Sequence, residues 1–108
     1  MLMSTQFDHV SIIKKANIYF DGKCISYNIV FPDHSRKTIG VILPSVVGFD
    51  TDAPEIMEII AGKCRVRIGE AGDWNTCEDG QRFQVPGNSH FDLEVLEPVQ
   101  YVCHFVRN

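Results

Sequence analysis

Two glycine-bounded blocks of the sequence stand out because the spacing of their residues is specific. The first block runs from Gly40 to Gly62 and carries the carboxylate of Glu55, which is followed by six residues and then Gly62. The second runs from Gly80 to His90 and ends on an imidazole. Carboxylates and imidazoles bind divalent metals, and a carboxylate also stabilises developing positive charge. These blocks are therefore the first candidates for a functional site.

The cysteines do not indicate a zinc site. No two of them are spaced as CxxC, and most lie in strand-like runs, where a free cysteine packs as a small hydrophobic residue. We expect all four to be reduced and structural: Cys24, Cys64, Cys77 and Cys103. The N-terminus lacks a signal-peptide pattern, and no apolar run approaches the ~20 residues of a membrane span. The sequence therefore predicts a cytoplasmic protein with no membrane partner.

Composition and charge narrow the partners further. The chain has 108 residues, 44% hydrophobic, which suits one small domain with a real core. Its net charge is −4, and its densest basic groups are only the pairs Lys14-Lys15 and Arg36-Lys37. Nucleic-acid binding needs a cluster of cations, so we predict none. Binding of an anionic small molecule by one or two well-placed cations stays open as a function.

The sequence segments that must position these residues have the patterns of β-strands. Turn signals such as Asp21-Gly22 and Pro86-Gly87 recur at short intervals between β-branched or alternating runs. The pattern predicts eight to ten short strands in an all-β sandwich or barrel. We expect Glu55–Ala61 to be a strand that ends at Gly62, and a turn at Glu97-Pro98. Residues 1–16 are predicted to be a partly ordered extension, and residues 17–108 a single domain.

The two blocks resemble those of the cupin superfamily. That resemblance implies an all-β fold with a single cupin-like β-barrel, an RmlC-like jelly roll. In metal-binding cupins the first block carries a His-x-His pair and then a Glu, and the second carries one more His. Glu55 matches the Glu, but Phe49 and Thr51 occupy the positions of the His pair, and His90 lies one residue early relative to Pro86. We therefore predict no metal site.

A second resemblance covers nearly the whole chain, through motifs that fall in order at matching spacing. They are Asn17–Lys23, Thr38–Leu43, Phe49–Glu55 with Met57 and Gly62, Asp73-Trp74, Phe83–Ser89 with Phe91, and Tyr101–Cys103. In these motifs the chain resembles the small cupin-like pyrimidine/purine nucleoside phosphorylases. The resemblance implies phosphate-dependent cleavage of purine and pyrimidine nucleosides to free base and (deoxy)ribose 1-phosphate, with broad base specificity. It also implies a homodimer without a cofactor, with inorganic phosphate as co-substrate.

The resemblance does not assign the catalytic residues, so the chemistry must select them. Phosphorolysis passes through an oxocarbenium-like state and needs a phosphate site, a ribose site and a flat partner for the base. We predict Glu55 and Thr51 as catalytic. For Glu55 the alternative is an ion pair with Arg65 or Arg67, and for Thr51 it is a turn-stabilising role. The predicted substrate-binding residues are Arg36, Lys23, Thr38, Phe49, Ser89 and Tyr101.

Two other functions stay open. The first is a non-catalytic, metal-free cupin that binds a small molecule, because no nucleophile or acid–base pair can be read from spacing alone. The second is a metal-dependent cupin oxygenase or isomerase, against which the missing His pair argues. Release of ribose 1-phosphate separates the enzyme from the binding protein, and metal analysis of the purified protein tests the third reading.

Overall fold

Strands follow the alternating and β-branched runs of the sequence, and turns follow its glycines and prolines. The structure is a computed structural model, and it describes residues 4–106. One short 3₁₀ turn, Phe20–Gly22, lies among the strands. The strands are β1 (Ser11–Ile12), β2 (Asn17–Tyr19), β3 (Cys24–Val30), β4 (Arg36–Ile42), β5 (Ser45–Thr51), β6 (Glu55–Ile68), β7 (Asn75–Glu78), β8 (Arg82–Val85) and β9 (Ser89–Phe105).

Two long strands, β6 and β9, organise the fold. They pair antiparallel along almost their whole length. On its other edge, β9 pairs with β5 through its first half and with β4 through its second half. The order β1-β3-β4-β9-β6-β7 is completed by β2 on β3, β5 on β9 and β8 on β6. The expected all-β class is confirmed. The pairing does not close on itself within the described residues, so the expected single barrel is not confirmed.

Two of the expected strand ends were wrong. The chain does not turn at Glu97-Pro98, because β9 runs through it, and β6 likewise continues through Gly62 to Ile68. Register shifts between Ile59 and Cys64 absorb both irregularities, since β-bulges let a strand bend without ending. At the bend, Gly62 has a φ of +100° and lies against the Pro98 carbonyl. Glycine is needed there both for its conformation and for its missing side chain.

The core lies between the inward faces of these strands. Its fully buried members include Ile42, Ile59, Leu93 and Val99. All four cysteines are free and buried, as expected. Within the predicted N-terminal extension, β1 pairs with β3, so part of the extension joins the sheet; residues 1–3 lie outside the described residues. No helix in the described part of the chain is long and apolar enough to cross a membrane.

The bend yields a stability prediction. Gly62→Ala should lower the free energy of unfolding by about 3 kcal/mol or more, because the new Cβ would collide with the Pro98 carbonyl oxygen. Gly80→Ala is the matched control: Gly80 also has a positive φ, +81°, but nothing lies within 4 Å of the position of its Cβ. That control should cost only about 1–2 kcal/mol. Urea unfolding measures both, and equal losses would contradict the assigned contact.

Candidate functional site

A cleft of about 330 Å³ opens between the strands. Side chains on one face of a strand recur every second residue, and β4, β6 and β9 each supply such a series. These are Arg36 and Thr38; Glu55 and Met57; and Tyr101, Cys103 and Phe105. The remaining lining residues come from β2, β3, β5 and the start of β9: Asn17, Tyr19, Ser26, Asn28, Phe49, Asp50 and Phe91.

Arg36 supplies the positive charge of the cleft. Its Nη1 donates a hydrogen bond of 2.6 Å to Asn28 Oδ1, and its guanidinium lies 4.4 Å from the centre of the Phe105 ring. Among the described residues it makes no ion pair with a carboxylate within 4.0 Å. An arginine has five N–H donors, so the guanidinium is oriented by neighbours and retains donors for a ligand.

Glu55 supplies the negative charge. Burial raises the pKa of its carboxyl, opposed by a hydrogen bond from Cys103 and by the charge of Arg36, while Asp52 raises it further. Cys103 Sγ donates to Glu55 Oε1 over 3.3 Å. Glu55 does not form the ion pair with Arg65 or Arg67 that the sequence left open as its alternative.

Both of those arginines have other partners. Arg65 Nε lies 2.6 Å from Glu94 Oε1, and Arg67 Nη2 lies 2.9 Å from Asp92 Oδ2. Among the described residues, the carboxylate of Glu55 therefore lines the cleft without a cationic partner within 4.0 Å.

Aromatic side chains form one wall of the cleft. Phe49 and Phe91 stack with their centroids 5.3 Å apart and their planes 26° apart. Phe20 packs edge-on against Phe49 at 5.4 Å, and its φ of +54° is unusual for a bulky residue. Tyr19 adds another ring to the cleft lining. This wall offers a flat apolar surface to a planar ligand.

The structure brings several sequence-predicted residues together and leaves others out. Arg36, Thr38, Phe49, Glu55 and Tyr101 all line the cleft. Three predicted residues, Lys23, Thr51 and Ser89, are not part of its lining. Lys23 is exposed, at the residue that precedes β3.

Thr51 and Ser89 are engaged with each other instead. The Thr51 hydroxyl donates to the Pro86 carbonyl over 2.6 Å and accepts from the Ser89 N–H over 3.0 Å. The cause is register, because Thr51 lies opposite Ser89 where β5 meets β9. These contacts are to Pro86 and Ser89 and not within Asp50-Thr51-Asp52, the turn that the predicted structural alternative named. Because its hydroxyl already donates and accepts within the protein, the Thr51 side chain anchors the loop before β9.

Sequence reasoning assigned no substrate-binding role to several polar lining residues, among them Asn28, Asp50 and Cys103. Asn28 and Cys103 each lie opposite Thr38, on β3 and β9 respectively. Arg36 and Thr38 lie on one face of β4. If β3 and β4 are paired as a hairpin, Asn28 lies opposite Thr38 on the same face, so the sequence could have indicated it. Cys103 and Asp50 depend on pairings with distant parts of the chain, for which the sequence holds no local signal.

The donor set of the cleft differs from that of a metal-binding cupin. Phe49 and Thr51 stand where such a site would have its His pair. Phe49 stacks on Phe91, and the Thr51 hydroxyl is held by main-chain groups. Across residues 4–106, no group of three or more His, Cys, Asp or Glu side chains is arranged to hold a metal ion.

Structural comparison relates the fold to solved proteins. A crystal structure of a protein of unknown function from Acinetobacter sp. ADP1 superposes with a TM-score of 0.92 at 50% identity, covering 95% of this chain and all of that one. An oxalate decarboxylase from B. subtilis gives a TM-score of 0.71 at 12% identity, over 94% of this chain and 30% of its own. The second likeness concerns the fold alone, which is cupin-like.

Sequence comparison identifies the family. The model of the family described as "Pyrimidine/purine nucleoside phosphorylase" matches residues 14–105. A pyrimidine/purine nucleoside phosphorylase of Janthinobacterium sp. (strain Marseille) is 62% identical over 104 residues, which is 96% of this chain and 100% of the relative. The chain therefore belongs to the pyrimidine/purine nucleoside phosphorylase family, as the motifs in its sequence had indicated.

Proposed function

We propose that this protein is a pentosyltransferase that cleaves purine and pyrimidine nucleosides with inorganic phosphate. A phosphate oxygen bonds to the anomeric carbon of the sugar, and the bond from that carbon to the base nitrogen breaks. The proton of hydrogen phosphate ends on the released base, and the second product is (deoxy)ribose 1-phosphate. The observation that carries the proposal is one cleft with a cation and a carboxylate, not joined in an ion pair, beside an aromatic wall.

The phosphate is assigned to Arg36. An arginine binds phosphate through parallel N–H donors, and the contacts of Arg36 with Asn28 and Phe105 fix its guanidinium in advance. Thr38, on the same face of β4, is a buried hydroxyl in the cleft lining. We propose that it supplies a further hydrogen bond to the phosphate.

Glu55 is assigned to the sugar. As C1′ loses the base, positive charge develops on the ribose ring, and a nearby carboxylate stabilises it. Phe105 neighbours both residues, because Glu55 pairs with it across β6 and β9 while the Arg36 guanidinium covers its ring. We infer that this ring helps keep the cation and the carboxylate apart. Each is then free for its own part of the substrate.

The base is assigned to the aromatic wall. Stacking on Phe49, supported by Phe91, requires only a flat π face, which every purine and pyrimidine presents. Tyr19 and Tyr101, which also line the cleft, border that space. Such a site would accept many bases, because stacking does not read the edge of the base. The proposed reaction needs no cofactor, and inorganic phosphate is its co-substrate.

The state of the four cysteine thiols bears on the compartment in which the protein works. All are free and buried, and burial raises the pKa of the Cys64 thiol to about 12, which disfavours the reactive thiolate. Reduced cysteines are usual where glutathione keeps thiols reduced. We propose that the protein works in the cytoplasm, where nucleosides and phosphate are both present.

A homodimer is proposed through an apolar face. On β2, β3 and β4, the exposed side chains of Ile18, Ile25 and Val41 lie opposite one another in register, and Tyr27 and Ile39 form the next pair. A contiguous apolar patch on a small protein marks an interaction surface. A second copy of the chain would cover it and would also shield the neighbouring sheet edge.

An activity assay tests the proposed reaction. We expect base release from uridine, cytidine, adenosine, guanosine and thymidine that requires phosphate and survives a chelator. Glu55→Gln should lower kcat/KM about 100-fold or more, because the stabilising charge is lost. Arg36→Ala should lower it about 10–100-fold through weaker phosphate binding.

Matched controls use the surface pair Arg65–Glu94, which lies outside the cleft lining. Arg65→Ala and Glu94→Gln should stay within about twofold of the unmodified protein. Release that both cleft variants retain would contradict the assigned site. If no nucleoside is cleaved, the better account is a metal-free cupin that binds a small molecule.

The dimer is tested by sedimentation. The unmodified protein should sediment at twice the 12.2 kDa mass of the chain, and Ile25→Lys should shift it to the monomer, because a buried unpaired charge opposes association. Val46→Lys is the control: Val46 is 69% exposed on β5, outside the proposed patch. A dimer that survives Ile25→Lys but is lost in Val46→Lys would assign the interface to another face.

A further inference from the structure

A row of neutral polar side chains crosses the cleft from β2 to β9. Asn17 Nδ2 donates to Ser26 Oγ over 3.3 Å, and Ser26 hydrogen-bonds to the Tyr101 hydroxyl. The oxygen of that hydroxyl lies 3.6 Å from Cys24 Sγ. We call this series, Asn17–Ser26–Tyr101–Cys24, the polar relay. Its first three members line the cleft, and the proposed reaction does not yet use it.

A glycine lets the polar relay cross β4. Tyr101 lies on β9 and Cys24 on β3, and β4 runs between these two strands. In the register, Gly40 lies opposite Ser26 on one side and opposite Tyr101 on the other. A Cβ at position 40 would lie 2.8 Å from the Ser26 Cβ, closer than real side-chain contacts. The Tyr101 side chain therefore reaches β3 across a position where any other residue would crowd Ser26.

The polar relay can run in either direction because its members are neutral. Burial raises the pKa of the Tyr101 hydroxyl and of the Cys24 thiol. Both groups therefore keep their protons and can donate as well as accept, and a serine hydroxyl has the same two abilities. In one direction each group donates to the next, from Asn17 toward Cys24. In the other direction every donor becomes an acceptor, and no charge moves.

The direction of the polar relay decides which group Asn17 presents to the cleft. An amide has an acceptor oxygen and a donor nitrogen, and Ser26 engages one of them. When Nδ2 donates to Ser26, Oδ1 is left for a donor on a ligand. When the amide is turned over, Oδ1 accepts from Ser26 and Nδ2 is left for an acceptor. Among the described residues, Asn17 makes no side-chain hydrogen bond except the one to Ser26.

The end of β2 adjoins the wall that is assigned to the base. Asn17 and Tyr19 lie on one face of β2 and both line the cleft. The next residue, Phe20, packs edge-on against Phe49 at 5.4 Å. A base stacked on Phe49 therefore lies beside the strand that carries the Asn17 amide.

The geometry of the proposed reaction also directs the base toward the polar relay. Arg36, assigned to the phosphate, and Gly40, over which the relay passes, are four residues apart on β4. Four residues of an extended strand span about 13 Å. A phosphate that attacks C1′ from the face opposite the base holds the base on the side of the sugar away from Arg36. The edge of the base then faces the relay.

We propose that the Asn17 amide hydrogen-bonds to the edge of the base and turns over to suit it, with Ser26 and Tyr101 as positioning residues. Uracil and hypoxanthine have a carbonyl where cytosine and adenine have an amino group. Asn17 donates through Nδ2 to the carbonyl and accepts through Oδ1 from the amino group, and the polar relay reverses to match.

The inference rests on the proposed function and deepens it. Stacking admits any base, but a fixed donor or acceptor at the edge would leave a polar group unpaired with half of the substrates, which is costly in a closed site. An amide that turns over avoids that loss with every base. The thiol at the far end of the relay is a weak hydrogen-bonding group, so little is lost when its own proton has no acceptor.

The contact with the base is tested with Asn17→Asp, because a carboxylate can only accept. The ratio of kcat/KM for cytidine to kcat/KM for uridine should rise about tenfold or more, since the amino group keeps its acceptor while the carbonyl loses its donor. The ratio for adenosine to inosine should rise likewise. Any effect of the new charge on phosphate is common to both nucleosides and cancels in each ratio. Ratios within twofold of those of the unmodified protein overturn the contact.

Asn28→Asp is the matched control. Asn28 also lines the cleft, but its partner is Arg36 and not the polar relay. The substitution puts the same charge in the same cleft and should lower activity by pairing with Arg36, yet both ratios should stay within about twofold. Ratios that rise as far as in Asn17→Asp overturn the assignment to Asn17.

Reversal of the polar relay is tested by NMR on protein with ¹³C-labelled tyrosine, without phosphate. The Cζ signal of Tyr101 should differ between the uridine and cytidine complexes, because its hydroxyl donates to a different neighbour in each. Tyr27, exposed on β3 and outside the cleft lining, is the control and should show no difference. In Ser26→Ala the difference at Tyr101 should vanish. The same Tyr101 signal in both complexes, or a difference that survives Ser26→Ala, overturns the reversal.

Equilibrium binding without phosphate separates this inference from the proposed reaction. In Asn17→Asp, the Kd for uridine relative to that for cytidine should rise about tenfold, whether or not the protein cleaves either nucleoside. Cleavage of all the nucleosides with unchanged ratios overturns the base contact and leaves the reaction. A shifted binding ratio in a protein that cleaves none of them supports the contact and overturns the reaction. Failure of both nucleosides to bind overturns both.

Discussion

The pairing of β6 with β9 is the constraint on which the rest of the structure depends. The two strands are 14 and 17 residues long, and they stay paired through a bend that Gly62 permits against Pro98. Because β9 also pairs with β4 and β5, this one strand is joined directly to three of the strands that line the cleft. A change of one residue in its register would turn the lining side chains to the other face.

That register also explains the electrostatics of the cleft. Phe105 on β9 pairs with Glu55 on β6, and the guanidinium of Arg36 on β4 covers the Phe105 ring. Arg36 and Glu55 thus both neighbour Phe105, and they form no ion pair with each other. An unpaired charge that is partly buried, as Glu55 is, costs free energy. A cleft that keeps both of them is suited to a ligand that carries an anion and develops a cation, as phosphorolysis requires.

The local features of the fold could be predicted from the sequence. Turn residues and alternation predicted the all-β class and most of the strands, and the cysteines are free as expected. The continuous β9 was missed, because Glu97-Pro98 is a strong turn signal by itself and only pairing with β6 overrides it. Whether the sheet closes depends on long-range pairing, which a single sequence does not encode in any local pattern.

For the candidate site, too, the sequence predicted residue chemistry but not the effects of long-range strand pairing. Arg36, Glu55 and Phe49 were selected from residue chemistry and from a family resemblance, and all three line the cleft. Thr51 and Ser89 had suitable hydroxyl groups, but they lie opposite each other in register, so Thr51 bonds to the main chain of Ser89. Residue type can suggest a binding group. Only the surrounding pairing decides whether that group faces a ligand or a neighbouring strand.

The central claim is that one cleft binds both phosphate and nucleoside. An NMR titration of the labelled protein, with phosphate alone, with uridine alone and then with both, tests it most directly. The account predicts that phosphate shifts the resonances of Arg36 and Thr38, and that uridine shifts those of Phe49 and Glu55. A second pocket is lined by residues that include Gly80 and Phe83. Shifts centred on that pocket, or no saturable shifts at all, would contradict the claim.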